Sequence, residues 1–175
     1  MKYRFLLISV LIAINLTACE VVDNLLTFTV RDESTFTVKS GLPFNSPFEV
    51  PTPDVTTNST SEFENNKTKA ELVKDVKLKE LKLSIINPTD KTFSFLKAVH
   101  IYISTNSSDE IELAYLDNIS ATTNTINLIC TSNKLDQYIK ANSYKLRTQV
   151  TTRETLTQDV EIKSNMTFRV TADPL

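Results

Sequence analysis

Glycine is nearly absent from this chain: Gly41 is the only one among 175 residues. Phosphate-binding loops and the strand-turn-helix elbow of α/β-hydrolases need several glycines, because their backbone turns tightly or approaches a ligand closely. A single glycine therefore excludes these sites. Tight hairpin turns also favour glycine, so we expect longer loops, or turns that use Asn and Asp, to connect the strands.

Histidine, cysteine and tryptophan are scarce as well, with counts of one, two and none. Zinc sites built from clusters of Cys and His are therefore excluded. A hydrolase triad needs a histidine held on a nucleophile, whereas His100 lies in a strand-like run beside Tyr102. We interpret His100 as a packed or solvated strand residue. The sequence predicts no catalytic residue, no metal site, no cofactor and no enzymatic activity.

The longest apolar run is confined to the N-terminus, from Phe5 to Ile14, after the basic residues Lys2 and Arg4. A run of about ten residues is too short to cross a bilayer, which needs about 20. A basic start followed by a short apolar run is typical of a secretory signal, which we assign to residues 1–18. No transmembrane segment is predicted after it.

The next residues, Leu16-Thr17-Ala18-Cys19, resemble the lipobox of bacterial lipoproteins. The resemblance implies that the chain is cut before Cys19 and that Cys19 carries lipid. The lipidated Cys19 would then anchor the protein in the outer membrane, on its periplasmic face or at the cell surface. Cys130 would remain as a buried, unreactive thiol; without lipidation, a Cys19–Cys130 disulfide is the alternative.

The part after the signal, residues 19–175, has the length of one domain with its own core. Loss of Lys2 and Arg4 leaves 17 basic and 21 acidic residues, a formal charge of −4. This balance argues against nucleic acid as a partner.

Apolar and polar residues alternate along most of this domain, as in half-buried strands. The alternation predicts an all-β, antiparallel sandwich of about eight to ten strands with one or two short helices. Three local expectations follow. A polar turn at residues 32–34 separates two short strands, and a strand across residues 76–85 needs a β-bulge near Lys79-Glu80, unless a helix ends there. Residues 144–150 and 156–162 form a hairpin.

A polar segment at 52–67 shows little periodicity and is predicted to be a long loop. Phe44, Phe48 and Phe63 lie in or near loops. They could contact a partner, although folding back over an open end of the sandwich is the more common outcome for such residues.

Carboxylates cluster at two places. One group comprises Asp109, Glu110, Glu112 and Asp117; the other comprises Glu62, Glu64 and the amide of Asn65. Either group has oxygen atoms that could bind Ca²⁺, and the first could serve a carboxylate-dependent hydrolase. Neither group has the spacing of a known calcium loop, so we favour a solvated acidic surface.

As a whole, the chain resembles small lipoproteins of Bacteroidota-type bacteria. The residues that carry the resemblance are the lipobox, the segment Pro51-Thr52-Pro53-Asp54 and the stretch from Lys79 to Ile103. The fold that it implies is an immunoglobulin-like sandwich of the late-embryogenesis-abundant type, although the usual Cys…Trp…Cys core is missing. We expect a non-enzymatic binding or assembly module of the cell envelope, whose partner is an envelope protein or a glycan. The alternative is a glycan- or lipid-binding protein that uses the 52–67 loop or a cavity between the sheets.

Overall fold

The computed structural model describes residues 26–175, which form an all-β sandwich of two antiparallel sheets with two short α-helices. This confirms the predicted fold class. The strands are β1 (Thr27–Val38), β2 (Phe48–Val50), β3 (Val55–Thr56), β4 (Val73–Asn87), β5 (Leu96–Ser104), β6 (Ile111–Leu116), β7 (Thr125–Asn127), β8 (Ile129–Cys130), β9 (Ser143–Thr152) and β10 (Val160–Ala172). The helices are α1 (Ser59–Asn65) and α2 (Asp136–Lys140), with 3₁₀ turns at Ala70–Leu72 and Phe93–Phe95.

The first sheet has the strand order β1-β10-β4-β7, and the second has the order β2-β9-β5-β6-β8, with β3 also pairing with β9. One continuous apolar core fills the space between them, and it includes fully buried side chains from both sheets, such as Leu81, Phe168, Ile101 and Leu113. Within residues 26–175, no helix is long and apolar enough to cross a membrane.

The predicted turn at residues 32–34 is wrong: β1 runs without interruption from Thr27 to Val38 and pairs with β10 along its whole length. Asp32 lies at a position of the strand that points into the core, and it is only 8% exposed. The Tyr144 hydroxyl donates a hydrogen bond to its carboxylate at 2.9 Å. Burial raises the pKa of Asp32, and this hydrogen bond opposes that shift in part. A polar residue thus continues the strand because the opposite sheet provides a donor for it.

The β-bulge expected near Lys79-Glu80 is confirmed. β4 is one strand, and its register against β10 shifts between the pairs Glu80–Thr167 and Leu78–Phe168. Because Lys79 is an extra residue at the bulge, Leu78 and Leu81 both point into the core although they are three residues apart.

The predicted hairpin of residues 144–150 and 156–162 is wrong. β9 pairs with β2, β3 and β5 in the second sheet, whereas β10 pairs with β1 and β4 in the first. The connection between them therefore crosses from one sheet to the other. Gly41 lies beside this connection, with its backbone in the left-handed region and its N–H donating to the Leu156 carbonyl at 3.1 Å.

Residues 52–67 are more regular than the predicted loop, because they contain β3 and α1. Phe63 of α1 is 2% exposed and meets Phe28 edge to face, with ring centroids 6.1 Å apart. Phe63 and Val55 of β3, which is 5% exposed, hold the otherwise polar segment against the core.

The two sides of the sandwich differ. On one side the chain passes from β7 in the first sheet to β8 in the second, and buried Leu128 lies between them. This crossover closes that side. On the other side lies β1, a twelve-residue edge strand, beside the short strands β2 and β3.

Candidate functional site

The outer face of the second sheet concentrates aromatic and charged side chains, and we call it the aromatic face. Two rows of side chains cross its neighbouring strands. One row contains Glu49, Gln149, His100 and Tyr115, and the next contains Arg147, Tyr102 and Glu112. Asp117 and Glu110 flank these rows at the ends of β6.

A β-bulge in β6 brings two of these side chains together. The β5–β6 register shifts between the pairs Ile101–Ala114 and Tyr102–Glu112, so Leu113 is an extra residue that lies buried in the core. In a regular strand Glu112 and Tyr115, three residues apart, would point to opposite faces. With the bulge, both lie on the aromatic face.

His100 lies at the centre of the aromatic face between two carboxylates. Its Nδ1 is 2.7 Å from Glu112 Oε1, and its Nε2 is 3.3 Å from Asp117 Oδ1. Partial burial lowers the pKa of His100, but the hydrogen bonds and the negative charges of Glu112 and Asp117 outweigh that effect, so the pKa is raised. The two carboxylates therefore stabilise the imidazolium form relative to that of a free histidine.

Arg147 lies beside Tyr102 on the aromatic face and contacts two further carboxylates. Its guanidinium donates to both oxygens of Glu110, at 2.8 and 2.6 Å, and to Glu49 at 3.0 Å. It also lies over the Tyr102 ring, 4.0 Å from the centroid. The hydrogen bonds to Glu110 raise the pKa of Arg147 and lower that of Glu110. Paired and stacked in this way, Arg147 has little freedom left to lose when a partner binds.

Three rings lie nearly parallel across the face. The centroid of His100 is 6.5 Å from that of Tyr102 and 5.8 Å from that of Tyr115, with interplanar angles of 17° in both pairs. All three residues are half-buried, so their side chains are ordered yet accessible.

This arrangement suits binding better than proton transfer. A general base needs a free nitrogen directed at the proton that it removes, whereas both ring nitrogens of His100 are held by carboxylates. Tyr and Arg, in contrast, are the residue types that contribute most binding energy at protein interfaces. The face is a pre-organised set of aromatic and charged contacts.

The predicted acidic cluster is divided between different partners. Glu110 binds Arg147, whereas Glu112 and Asp117 bind His100. Asp109 turns away from them: it accepts hydrogen bonds from the backbone N–H groups of Thr105 and Asn106, and from the Thr105 hydroxyl, which lower its pKa. Asp109 therefore shapes the β5–β6 turn.

No group of three or more His, Cys, Asp or Glu side chains within residues 26–175 is arranged to hold a metal ion. In the second predicted acidic group, Glu62 lies in the first turn of α1, and Glu64 and Asn65 lie at its end.

The three phenylalanines singled out in the sequence have different positions. Phe63 is buried, so it is not accessible to a partner, and Phe48 is half-buried against the core. Phe44 is 53% exposed, in the segment between β1 and β2. Of the three, Phe44 is the most accessible to a partner.

Of the two cysteines, only Cys130 lies among the described residues. Cys19 lies outside the described residues. Cys130 is half-buried, and burial raises the pKa of its thiol, which disfavours the reactive thiolate.

Three grooves on the surface of the described residues are large enough to consider as binding sites. A groove of about 270 Å³ lies beside α1 and is lined by Thr60, Phe63, Glu64, Lys69, Ala70 and Glu71. Another, of about 300 Å³, lies between β1 and the segment after β2 and is lined by Thr35, Phe36, Thr37, Lys39, Pro51 and Pro53. A third, of about 380 Å³, lies beside α2 and is lined by Ile111, Asn133, Lys134, Asp136, Gln137 and Tyr138.

Comparison with known proteins identifies no family. No protein-family model matches the chain, and no curated protein matches it. Among solved structures, it is similar to FlhE (9% identity, covering 83% of this chain and 97% of that one, TM-score 0.36). It is also similar to the desmodium yellow mottle tymovirus structure (11% identity, 85% and 89%, TM-score 0.30) and to that of turnip yellow mosaic virus (14% identity, 85% and 94%, TM-score 0.27). At these TM-scores the likenesses carry no argument about function.

Proposed function

We propose that this chain is a lipid-anchored protein of the outer membrane whose sandwich is a non-enzymatic binding or assembly module. Its partner would bind to the aromatic face. The anchor is inferred from the signal-like residues 1–18 and from Cys19. The binding role is inferred from one observation above all: Tyr102, Tyr115 and Arg147 are held, half-exposed, in a fixed network on one sheet face.

The anchor would keep the domain close to the bilayer. Residues 20–26 separate Cys19 from β1, and seven residues reach at most about 25 Å when fully extended. A short tether suits a subunit of a membrane-bound complex better than an adhesin that must reach far from the surface.

The anchor is tested by mass spectrometry of the full chain expressed in its native host. We expect the mature protein to begin at Cys19, to carry lipid there and to fractionate with membranes. A Cys19→Ser variant should lack the lipid and leave the membrane fraction. An unmodified Cys19 in the wild-type protein would overturn the anchor.

The binding face is tested with a pair of matched double variants. Tyr102→Ala/Tyr115→Ala removes two rings from the aromatic face, and Thr167→Ala/Arg169→Ala removes two side chains from the outer face of the first sheet. In native gels of gently solubilised envelopes, the wild type should migrate in a complex with another component. The first variant should lose that complex and the second should keep it; the same migration for both variants would contradict the proposal.

A glycan or lipid ligand is the second candidate, and the groove beside α1 favours it. This groove begins in the 52–67 region and combines the apolar Ala70 with the polar groups of Thr60, Glu64 and Lys69. Its volume is near the lower limit for a small-molecule site. If the complex survives loss of the aromatic face but is lost in an Ala70→Trp variant, which fills the groove, this candidate replaces the first.

A further inference from the structure

β1 leaves a long backbone edge on the open side of the sandwich. Its strand partner is β10, in an uninterrupted register, and from Phe28 to Val38 no other strand pairing of β1 is present within residues 26–175. The other edge strands, β2, β7 and β8, have two or three residues each. A straight, long edge presents backbone donors and acceptors that another strand can bind.

The sequence of β1 is nearly symmetric about Asp32. Thr-Phe-Thr occurs at residues 27–29 and again at 35–37, and Arg31 and Glu33 flank the centre. If two copies pair antiparallel with Asp32 opposite itself, like residues meet: Thr29 faces Thr35, and Phe28 faces Phe36. Arg31 of each copy faces Glu33 of the other, which gives two opposite-charge pairs.

This register also keeps the core-facing side chains of both copies on the same side of the joined sheet. Even-numbered residues of β1 from Val30 to Val38 point toward the core, and odd-numbered residues point outward. Opposite residues of an antiparallel pair share a face, so an even residue must meet an even residue. A shift by one residue would place core side chains in solvent.

We propose that β1 pairs with β1 of a second copy of this chain, antiparallel and centred on Asp32, so that the two first sheets form one continuous eight-stranded sheet. The interface is isologous, as expected of a two-fold dimer. The groove between Thr35, Thr37 and the Pro51–Pro53 segment lies where residues 27–29 of the second copy would lie. Pro51 and Pro53 lack N–H groups, so the second sheet does not pair across the same interface.

The charges along the edge fit this pairing. Arg31 is exposed and has no ion-pair partner among the described residues, whereas Glu33 already pairs with Lys163 of its own chain at 2.6 Å. Arg31 of the second copy would therefore bring a second cation to this carboxylate. At the centre, both Asp32 side chains point into their own cores, where each accepts a hydrogen bond from Tyr144.

The pairing is compatible with two anchors in one membrane, although it does not depend on them. The two Thr27 ends are ten residues apart along the paired strands (27 to 37), which is about 33 Å. With the two-fold axis along the membrane normal, β1 lies parallel to the bilayer and both ends stand at the same height.

Disulfide trapping tests the register. The variants Thr29→Cys and Thr35→Cys, each in a Cys130→Ala background, are co-expressed as differently tagged full chains in the native host and mildly oxidised. We expect a covalent dimer that contains both tags, because opposite Cα atoms are about 5 Å apart. Each variant expressed alone should give none, since two copies of the same position are about 20 Å apart.

Charge exchange tests the ion pairs without cysteines. Arg31→Glu and Glu33→Arg should each weaken self-association of the detergent-solubilised full chain by about tenfold in Kd. The double exchange should restore it, because the opposite charges meet again, and Lys97→Glu, on β5 of the second sheet, should leave it unchanged. Sedimentation measures the dissociation constant.

Three results would overturn the pairing: a monomer at all concentrations, a disulfide formed by either single variant, or a double exchange as weak as the single ones. An adduct of position 29 or 35 with a different protein, in the absence of the mixed dimer, would assign the edge to a strand of that protein instead. Because lipidation of Cys19 is measured separately, failure here leaves the anchor and the aromatic face unaffected.

Discussion

The outer faces of the two sheets follow the same alternation of side chains, yet they hold different chemistry. On the first sheet, β1, β4 and β10 present mainly Thr, Lys, Arg and Glu, and no aromatic side chain of these strands lies outward. On the second, the rings of His100, Tyr102 and Tyr115 and the guanidinium of Arg147 are tied together by contacts with one another and with four carboxylates. The first face is solvated, whereas the second is organised before any partner arrives.

The difference shows that alternation alone defines which residues are outside, but not which of them form a site. On the aromatic face the decisive feature is cross-strand register. Tyr102 meets Arg147 on one side and Glu112 on the other because β9 and β6 flank β5 in this order. A chain with the same composition but another strand order would place these residues apart.

The largest difference in stability between the two faces should appear when an arginine of each face is replaced by alanine. Arg147→Ala removes three hydrogen bonds to carboxylates and the contact with Tyr102, so we expect the free energy of unfolding to fall by about 1–2 kcal/mol. Arg169→Ala, on the outer face of the first sheet, should change it by less than about 0.5 kcal/mol. Urea denaturation measures both; equal losses would mean that the aromatic face is no more organised than the other.

A smaller, pH-dependent difference should come from His100. Because its folded-state pKa is raised, the stabilisation from its carboxylates is fully present below the ordinary pKa of histidine and is lost as the pH rises through the folded pKa. The free-energy difference between the wild type and His100→Gln should therefore shrink from about pH 5 to about pH 9. The single histidine gives one imidazole signal in NMR, which reports this pKa directly.

The matched control for His100 is Lys163→Gln, which breaks the pair between Lys163 and Glu33 on the other face. That pair contains no histidine, so its free-energy difference should stay constant over the same pH range. A His100 signal that titrates below the ordinary pKa of histidine would refute the interpretation of its environment.

The smallest effect is expected from Lys163→Ala. Although its Nζ lies 2.6 Å from Glu33, both side chains are well exposed, at 35% and 66%. Such surface pairs contribute about 0–0.5 kcal/mol, because water and salt screen them. A loss above about 1 kcal/mol in urea denaturation would show that the outer face of the first sheet is also an organised network.

Local features of the fold could be predicted from the sequence, whereas pairing could not. The strands and the bulge at Lys79 follow from alternation within a single segment. The hairpin of residues 144–162 is wrong because the partners of a strand are chosen by tertiary packing: in the structure β9 pairs with β5, and its Arg147 contacts Glu110. The turn predicted at residues 32–34 was wrong because the buried donor of Tyr144 lies 112 residues away from Asp32.

The aromatic face was visible in the sequence only as fragments. His100 and Tyr102 were recognised on one partly polar face, and Glu110, Glu112 and Asp117 as an acidic cluster. These residues form one cluster only because Leu113 is an extra residue in β6, which places Glu112 on the same face as Tyr115. An apolar residue in ordinary alternation gives no sign of a bulge, so the cluster was interpreted as solvated.

Site-specific photo-cross-linking in intact native cells tests the central claim, that the outer face of the second sheet is where a partner binds. A photoreactive residue replaces Gln149 on the aromatic face or Thr167 on the opposite face; both positions are half-buried and lie on inner strands of their sheets. We predict a discrete adduct with an envelope component from position 149 and none from position 167. Equal yields from both positions, or an adduct from position 167 alone, would contradict the claim.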